Sequence, residues 1–237
     1  MSLDNRLQEP RPGLLSRLSA GETVLGALLL LIILVGLMLV GKGAYMKVKA
    51  ELSQVLLERA FDARLAGDGH VRPWPWADFD TEARISAPRL GQSAIVLKGA
   101  SGEALAFGPA WLVNTPQPGD PGTAVIAAHR DTHFRWLKDV RPGDLLEVTR
   151  ADGAKLTFRA GEGRVAPWDR SGINAQAIGR HLVLATCFPF DATEHGPLRY
   201  ILSAELIGDT GPDGTIARLS GSDGLTTLAA AAAVKSF

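Results

Sequence analysis

A long stretch without charged side chains, residues 23–41, most constrains how this chain can fold. As a helix rising about 1.5 Å per residue, it would be roughly 28 Å long, which is close to the thickness of a bilayer's hydrocarbon core. A cleaved signal peptide has a shorter apolar core, of about 7 to 15 residues, followed by a small-residue cleavage site, and residues 41–45 fit such a site poorly. The sequence therefore predicts an uncleaved transmembrane helix over residues 23–41.

The segment after this span carries a different helical pattern. Residues 45–65 interleave apolar and charged side chains at a spacing typical of an amphipathic helix. The Gly67-Asp68-Gly69 triplet ends the pattern, and Pro73 cannot continue a helix because proline lacks an N–H donor. We interpret residues 42–68 as a juxtamembrane helix and linker, with a domain boundary near residues 67–70.

Beyond residue 69 the chain changes to short apolar segments separated by turn residues. The Asp152-Gly153 pair predicts a hairpin, because both residues accept the positive φ of a tight turn. Many short strands at this spacing predict a mostly antiparallel barrel or sandwich over residues 69–210. The remaining residues, 211–237, are rich in Gly, Asp, Ser and Ala, and we interpret them as a mobile tail with one short alanine helix. The predicted strands are residues 94–97, 104–107, 123–128, 145–149, 155–159, 181–186 and 200–206.

Charge and cysteine content exclude two classes of protein. The 25 basic and 25 acidic residues give a formal net charge of zero, so no basic stripe is available for a nucleic-acid partner. A single cysteine excludes a disulfide-stapled scaffold. No dense Asp/Glu cluster stands out in residues 69–210, and the sequence predicts neither a metal site nor a cofactor.

Three chemically competent side chains stand at the ends of predicted strands. The only cysteine, Cys187, ends the run 181–186, and His129 ends the run 123–128. A thiol is only slightly ionised at neutral pH, so a nucleophilic cysteine needs an imidazole nearby. Arg199 opens the next apolar run and is always charged, so it could donate to a developing oxyanion.

These residues together resemble the sortase family. The matching segments are Thr186-Cys187 at the end of an apolar strand, Arg199 twelve residues later, and His129 in Ala-Ala-His-Arg-Asp-Thr-His-Phe. The segment Pro-Trp-Pro-Trp-Ala-Asp at 73–78, with Cys-Phe-Pro-Phe-Asp at 187–191, looks most like the proteobacterial branch of that family. The resemblance covers roughly residues 70–208, together with the single N-terminal anchor.

The resemblance implies a closed eight-stranded β-barrel and a cysteine transpeptidase. In that family the cysteine attacks a backbone carbonyl of a C-terminal sorting signal of the LPxTG kind, and an amine then displaces the thioacyl enzyme. Carried over, Cys187 is the nucleophile, His129 the general acid, and Arg199 the group that orients substrate and stabilises the oxyanion. Thr186, Asp131 and His195 are assigned to substrate binding. The implied partners are a secreted protein with such a signal, an amine acceptor and, through residues 23–41, membrane lipid.

The resemblance also implies the orientation in the membrane. Basic residues flank the span on both sides, so the positive-inside count does not choose an orientation and leans slightly against a cytoplasmic N-terminus. Sortases place the barrel outside the cytoplasmic membrane. We therefore expect residues 1–22 in the cytoplasm and the catalytic domain on the extracytoplasmic or periplasmic side.

Three alternatives stay open at this level. His133 and His195 compete with His129 as the partner of the thiol. His129 and His133 are spaced i, i+4, as in a zinc site on a helix, but Arg130 stands where a metalloprotease has its glutamate, which disfavours a metal hydrolase. A membrane-anchored, non-catalytic binding barrel explains the anchor, although not the coincidence of Cys, His and Arg.

Overall fold

The computed structural model describes residues 19–194, 196–210 and 216–217. It begins with helix α1, Ala20–Leu65, whose first turn is fixed by a capping box between Ser19 and Glu22. The Ser19 N–H donates to Glu22 Oε2 at 2.8 Å, and the Glu22 N–H donates in return to Ser19 Oγ at 3.4 Å. The predicted span and the predicted juxtamembrane helix are therefore parts of one helix.

The N-terminal half of α1 is apolar and exposed. The large apolar side chains between Val24 and Val40 are each about half exposed or more. Among the described residues, α1 is the one helix that has the length and apolar composition needed to cross a membrane. That finding rests on length and composition, and it agrees with the predicted span.

The chain divides into two compact units between Glu51 and Leu52, so the last turns of α1 belong to the second unit. Within that unit Leu57 and Phe61 are fully buried in a cluster that includes Phe79 and Leu97. Arg84 forms ion pairs with Glu58 at 3.0 Å and with Asp62 at 2.9 Å, and its guanidinium lies 5.0 Å from the Phe61 ring centre. This part of the helix is packed against the sheet rather than acting as a free linker.

The second unit is a closed β-barrel. The strands are β1 Thr81–Ala87, β2 Gln92–Lys98, β3 Ala110–Trp111, β4 Gly122–Ala127, β5 Leu145–Arg150, β6 Lys155–Pro167, β7 Arg180–Cys187, β8 Leu198–Thr210 and β9 Ile216–Ala217. They follow the order β6-β5-β1-β2-β3-β4-β7-β8 around the barrel, and pairing of β8 with β6 closes the ring of eight. Strand β9 pairs with the end of β8 outside the ring. It lies within the segment predicted as a mobile tail, whose other residues lie outside those described.

One predicted strand, residues 104–107, is wrong. The segment forms helix α2, Gly102–Phe107, because Ser101 caps its N-terminus and accepts a hydrogen bond from the Ala104 N–H at 3.1 Å. A short apolar run does not by itself distinguish a strand from a buried helical turn. Strands β1, β3 and β9 were not among the predicted strands; β3 and β9 are each only two residues long.

The Asp152-Gly153 hairpin is confirmed between β5 and β6. Gly153 has a φ of 89°, and its N–H donates to the Arg150 carbonyl at 3.0 Å. The Asp152 carboxylate accepts from the Ala154 N–H at 3.1 Å, which holds the turn closed. The chain therefore reverses where the sequence predicts it.

Two pairs of neighbouring strands are parallel in an otherwise antiparallel barrel. They are β2 with β3, and β4 with β7. The interior is filled by a cluster that draws side chains from most of the strands, including Ile85, Phe158, Leu184 and Leu202. The parallel β4–β7 pair matters for function, because the carboxyl ends of parallel neighbours reach the same edge of a sheet.

Candidate active site

The register of three neighbouring strands brings His129, Cys187 and Arg199 together. In the β4–β7 pair Ala127 faces Ala185, so His129, two residues past β4, lies at the level of Cys187 at the end of β7. In the β7–β8 pair Cys187 is the direct partner of Arg199. Neighbouring strands are about 4.8 Å apart, and side chains in the same register point to the same face. The three predicted side chains therefore form a row across β4, β7 and β8.

The row lies on the outer face of the barrel. Strand side chains alternate between faces, and Cys187 shares its face with Val183 and Ala185, which pack in a small cluster with Val125 and Ile201. Leu184 and Leu182 point the other way, into the barrel interior. Cys187 is half-buried, and its strand ends where the sequence turns at Phe188-Pro189.

Thr186 connects the two strands that carry the cysteine and the histidine. Its side chain is buried, and its hydroxyl donates to the Ala128 carbonyl at 2.7 Å. A backbone bond from the Ala128 N–H to the Ala185 carbonyl at 3.2 Å extends the β4–β7 pairing by one more step. This geometry makes Thr186 a link that holds His129 level with Cys187, while its predicted role in substrate binding stays a prediction.

Arg199 is buried, with 7% of its surface exposed. Its Nη1 donates to the carbonyls of Gly196 and Leu198, both at 2.9 Å. The guanidinium is thereby held at the base of the connection between β7 and β8. A charged donor fixed beside a thiol can stabilise negative charge that develops on a bound carbonyl oxygen.

Two grooves meet at the cysteine and the histidine. The first is mostly apolar and the second is polar, and both are lined by Cys187 and His129. The apolar groove is further lined by Leu105, Ala128, Trp168, Ser171, Ile173, Ala185, Thr186, Arg199 and Ile201. The polar groove is further lined by Arg130, Asp131, Arg135, Phe190, Asp191, Ala192 and Thr193.

The structure separates His129 from His133. His129 is exposed at the junction of the grooves, whereas His133 is half-buried and lines neither groove. Burial lowers the pKa of His133, and the nearby charge of His129 lowers it further. His195 lies outside the described residues.

The other predicted site residue, Asp131, lines the polar groove. Within the described ranges, no three side chains of His, Cys, Asp or Glu converge in a way that could hold a metal ion. The sequence missed the part of the groove wall that comes from Leu105 and from the segment 168–173. In the sequence, Arg130 stands out only because it occupies the place of the glutamate in a zinc motif. Its burial depends on tertiary contacts, which the local pattern does not show.

A closed eight-stranded barrel with Cys, His and Arg in register on three adjacent strands defines a narrow class of protein. The family model described as the sortase domain matches residues 85–207, which is more than half of the chain. The chain therefore belongs to the sortase family.

The individual proteins that this chain resembles are distant from it in sequence. Sortase D of Bacillus subtilis is 26% identical over 119 residues, which are 50% of this chain and 60% of that protein, so the chain spans less than two thirds of the relative. A sortase D5 transpeptidase of Clostridium perfringens shares the fold with a TM-score of 0.54 at 20% identity, over 67% of this chain and 99% of that one. Sortase C-3 of Streptococcus pneumoniae shares it with a TM-score of 0.51 at 20% identity, over 70% and 87%. These relatives do not support the predicted proteobacterial branch.

Proposed function

We propose that the protein is a membrane-anchored cysteine transpeptidase that cleaves an LPxTG-like C-terminal sorting signal and transfers the acyl part to an amine. The Cys187 thiolate attacks the scissile backbone carbonyl, and Arg199 donates to the oxyanion that forms. His129 protonates the leaving amine, which leaves a thioester on Cys187. An acceptor amine then attacks the thioester and restores the thiol.

One observation supports this proposal: the register of β4, β7 and β8 brings His129, Cys187 and Arg199 side by side. A binding barrel without catalysis gives no reason for this alignment, since each of the three positions could hold any polar side chain. The apolar groove beside Cys187 suits an extended peptide with apolar side chains, such as the Leu-Pro part of the signal. The groove supports this class of substrate without identifying the residue at the variable position.

The anchor and the branch are parts of the same proposal. Residues 23–41 of α1 would span the membrane, with residues 1–22 in the cytoplasm and the barrel on the extracytoplasmic, or periplasmic, side. The segments at 73–78 and 187–191 favour the proteobacterial branch of the family. Protease accessibility of the barrel in spheroplasts, compared with sealed inside-out vesicles, tests the sidedness.

The test of the activity uses the full chain in detergent with a peptide set of the form Leu-Pro-X-Thr-Gly, in which X is varied through all residue types. We expect cleavage before the glycine for at least one member and, when glycinamide is added, a product that joins the N-terminal fragment to the added amine. Absence of cleavage across the set, by protein that melts cooperatively, would refute the proposed substrate. Cleavage that persists in Cys187→Ala and stops when a chelator is added would favour the metal hydrolase.

A further inference from the structure

The polar groove holds charges of both signs beside the cysteine. Its wall carries Arg130 and Arg135, and the same wall carries Asp131 and Asp191. The apolar groove also reaches Cys187 and, under the proposed function, takes the acyl-donating peptide. The polar groove then remains for the second reactant, the amine that attacks the Cys187 thioester.

Arg130 is an unusual member of this wall. It follows His129 directly, and only 8% of its surface is exposed. Its Nη2 donates to the Glu194 carbonyl at 2.6 Å, whereas its Nη1 has no hydrogen-bond partner among the described residues. A buried guanidinium nitrogen without a partner costs free energy, because it has lost water without gaining an acceptor. The Arg130 side chain also lines the polar groove, where the fixed positive charge of its guanidinium favours an anion.

We propose that the polar groove binds the acceptor amine through a neighbouring oxyanion, a carboxylate or a phosphate, which Arg130 holds together with Arg135. The carboxylates of Asp131 and Asp191 attract the ammonium form of the same molecule, so the preferred acceptor is zwitterionic. This inference rests on the proposed transpeptidase function and adds the chemical class of its second substrate. Arg130 acts as a specificity-determining residue.

The transfer step places the amine between these charges and His129. The neutral amine nitrogen attacks the thioester carbonyl carbon, so that a C–N bond forms and the C–S bond breaks. Sulfur leaves as the Cys187 thiolate, and the proton lost by nitrogen passes to the His129 imidazole and from there to the thiolate. The products are an amide and the free thiol, and no oxidant or further reactant is needed.

The first test needs no knowledge of the sorting signal. Because Cys187 is the only thiol, alkylation by anionic iodoacetate and by neutral iodoacetamide reports the charge beside it. The measured quantity is the rate with iodoacetate divided by the rate with iodoacetamide. This ratio is then divided by the same ratio for free cysteine. We expect a ratio above one that falls about fivefold in Arg130→Gln and is largely kept in Arg130→Lys, as expected for one charge at close range. Inorganic phosphate should slow iodoacetate more than iodoacetamide.

Two further variants test whether the ratio reports the charges of the polar groove or the charge of the whole protein. Arg159→Gln removes an exposed arginine on β6 that lines neither groove, and it should keep the wild-type ratio. Arg135→Gln should lower the ratio without touching the contact between Arg130 and Glu194. A ratio that is unchanged in both Arg130→Gln and Arg135→Gln would overturn the oxyanion site.

The second test measures partition of the thioester between water and added amines. The panel pairs glycine and 2-aminoethyl phosphate with the neutral analogues glycinamide and ethanolamine. We expect the anionic member of each pair to give more amide at equal concentration of free amine base, and the better of the two anions identifies the source of the oxyanion. Equal yields within both pairs would refute the inference while leaving the transpeptidase standing. If no thioester forms, the proposed function fails, and the alkylation ratio still decides the oxyanion site.

Discussion

At the residue scale, the functional assignment depends on which side chains the strand register aligns. His129 precedes Cys187 by 58 residues and Arg199 follows it by 12, and the three are adjacent because β7 pairs with both β4 and β8. The sequence predicts all three as candidates from their positions at the ends of apolar runs. It could not show that Thr186 is buried with its hydroxyl bound to the Ala128 carbonyl, because that bond joins strands 58 residues apart.

The two described candidate histidines should differ sharply in their effect on turnover. We expect His129→Ala to lower kcat by two to four orders of magnitude, about the loss typical of a removed acid–base group. His133→Ala should cost little, because burial lowers the pKa of His133 and favours its neutral form, and its side chain lines neither groove. Steady-state cleavage of the peptide set measures both. Equal losses would show that His133 shares the acid–base role.

The rate of catalysis should depend on the shape of the side chain at position 199 as well as on its charge. Arg199→Lys keeps the positive charge but loses the planar guanidinium that donates to Gly196 and Leu198, so kcat should fall by about 100-fold or more. The rate at which iodoacetamide alkylates Cys187 should change little in this variant. If Arg199→Lys is within a few-fold of wild type and Arg199→Ala also leaves the alkylation rate unchanged, Arg199 is a structural residue.

At the element scale, the sequence predicted the strands that lead into the site better than the elements around them. Strands β4, β7 and β8 are long apolar runs, and their predicted and observed limits agree within a few residues. Residues 104–107 form a helix instead of a strand, since the Ser101 cap and a hydrogen bond from Gln54 Nε2 to the Phe107 carbonyl at 2.8 Å favour it. Such tertiary contacts are absent from the local pattern on which the strand was predicted.

Strand β6 needs a glycine at position 163, where the Tyr200 side chain of β8 lies across the backbone. A Cβ at position 163 would overlap the phenol oxygen and Cζ of Tyr200 and come within 2.9 Å of its Cε2. The Tyr200 ring cannot move away freely, because it packs edge-on against Phe190 with ring centres 5.1 Å apart. We expect Gly163→Ala to reduce the free energy of unfolding by about 1–3 kcal/mol, measured by urea denaturation.

A matched glycine on β8 provides the control for this prediction. A Cβ at Gly208 would lie 3.8 Å from Thr157 Cβ, which is ordinary contact, so Gly208→Ala should be close to neutral. Gly163→Ala should also cost much less in a Tyr200→Ala background, as a double-mutant cycle would show. An undiminished loss of unfolding free energy in the Tyr200→Ala background would mean that the Tyr200 ring does not cause the destabilisation.

At the scale of the whole molecule, the sequence predicts an anchor followed by a β-domain, and the structure divides the chain at a different residue. The predicted linker over residues 42–68 includes the end of α1, where Leu57 and Phe61 are buried in the second unit. The amphipathic pattern of residues 45–65 predicted the helix correctly but not its packing partner. Periodicity shows which face of a helix is apolar, and it does not show what covers that face.

Folding stability should depend on pH through one buried carboxyl. Glu82 on β1 is 8% exposed, and burial raises its pKa above the ordinary value of 4.5 even though Arg64, Lys98 and Arg150 oppose the shift. The folded state then holds a proton that the unfolded state has lost, so the carboxyl's contribution to stability is present below about pH 4.5 and is lost as the pH rises through the folded pKa.

This dependence predicts the behaviour of a neutral replacement. Glu82→Gln keeps an oxygen that can accept from Gln117 Nε2, which now donates to Glu82 at 2.9 Å. We expect Glu82→Gln to melt at a higher temperature than wild type at pH 7, with the difference shrinking as the pH falls toward 4. The exposed Glu147→Gln on β5 should show no such trend. A lower melting temperature for Glu82→Gln at pH 7 would show that the neighbouring cations outweigh burial.

The most direct measurement is the intact mass of the protein after brief incubation with a cleavable member of the Leu-Pro-X-Thr-Gly set. Cys187 is the only thiol, so wild-type protein should gain the mass of the N-terminal peptide fragment, and hydroxylamine should remove it, as expected of a thioester. Cys187→Ala should gain no mass and form no product, while melting close to wild type because the side chain lost is small. Continued cleavage or a persisting adduct in Cys187→Ala would contradict the assignment of Cys187 as the nucleophile.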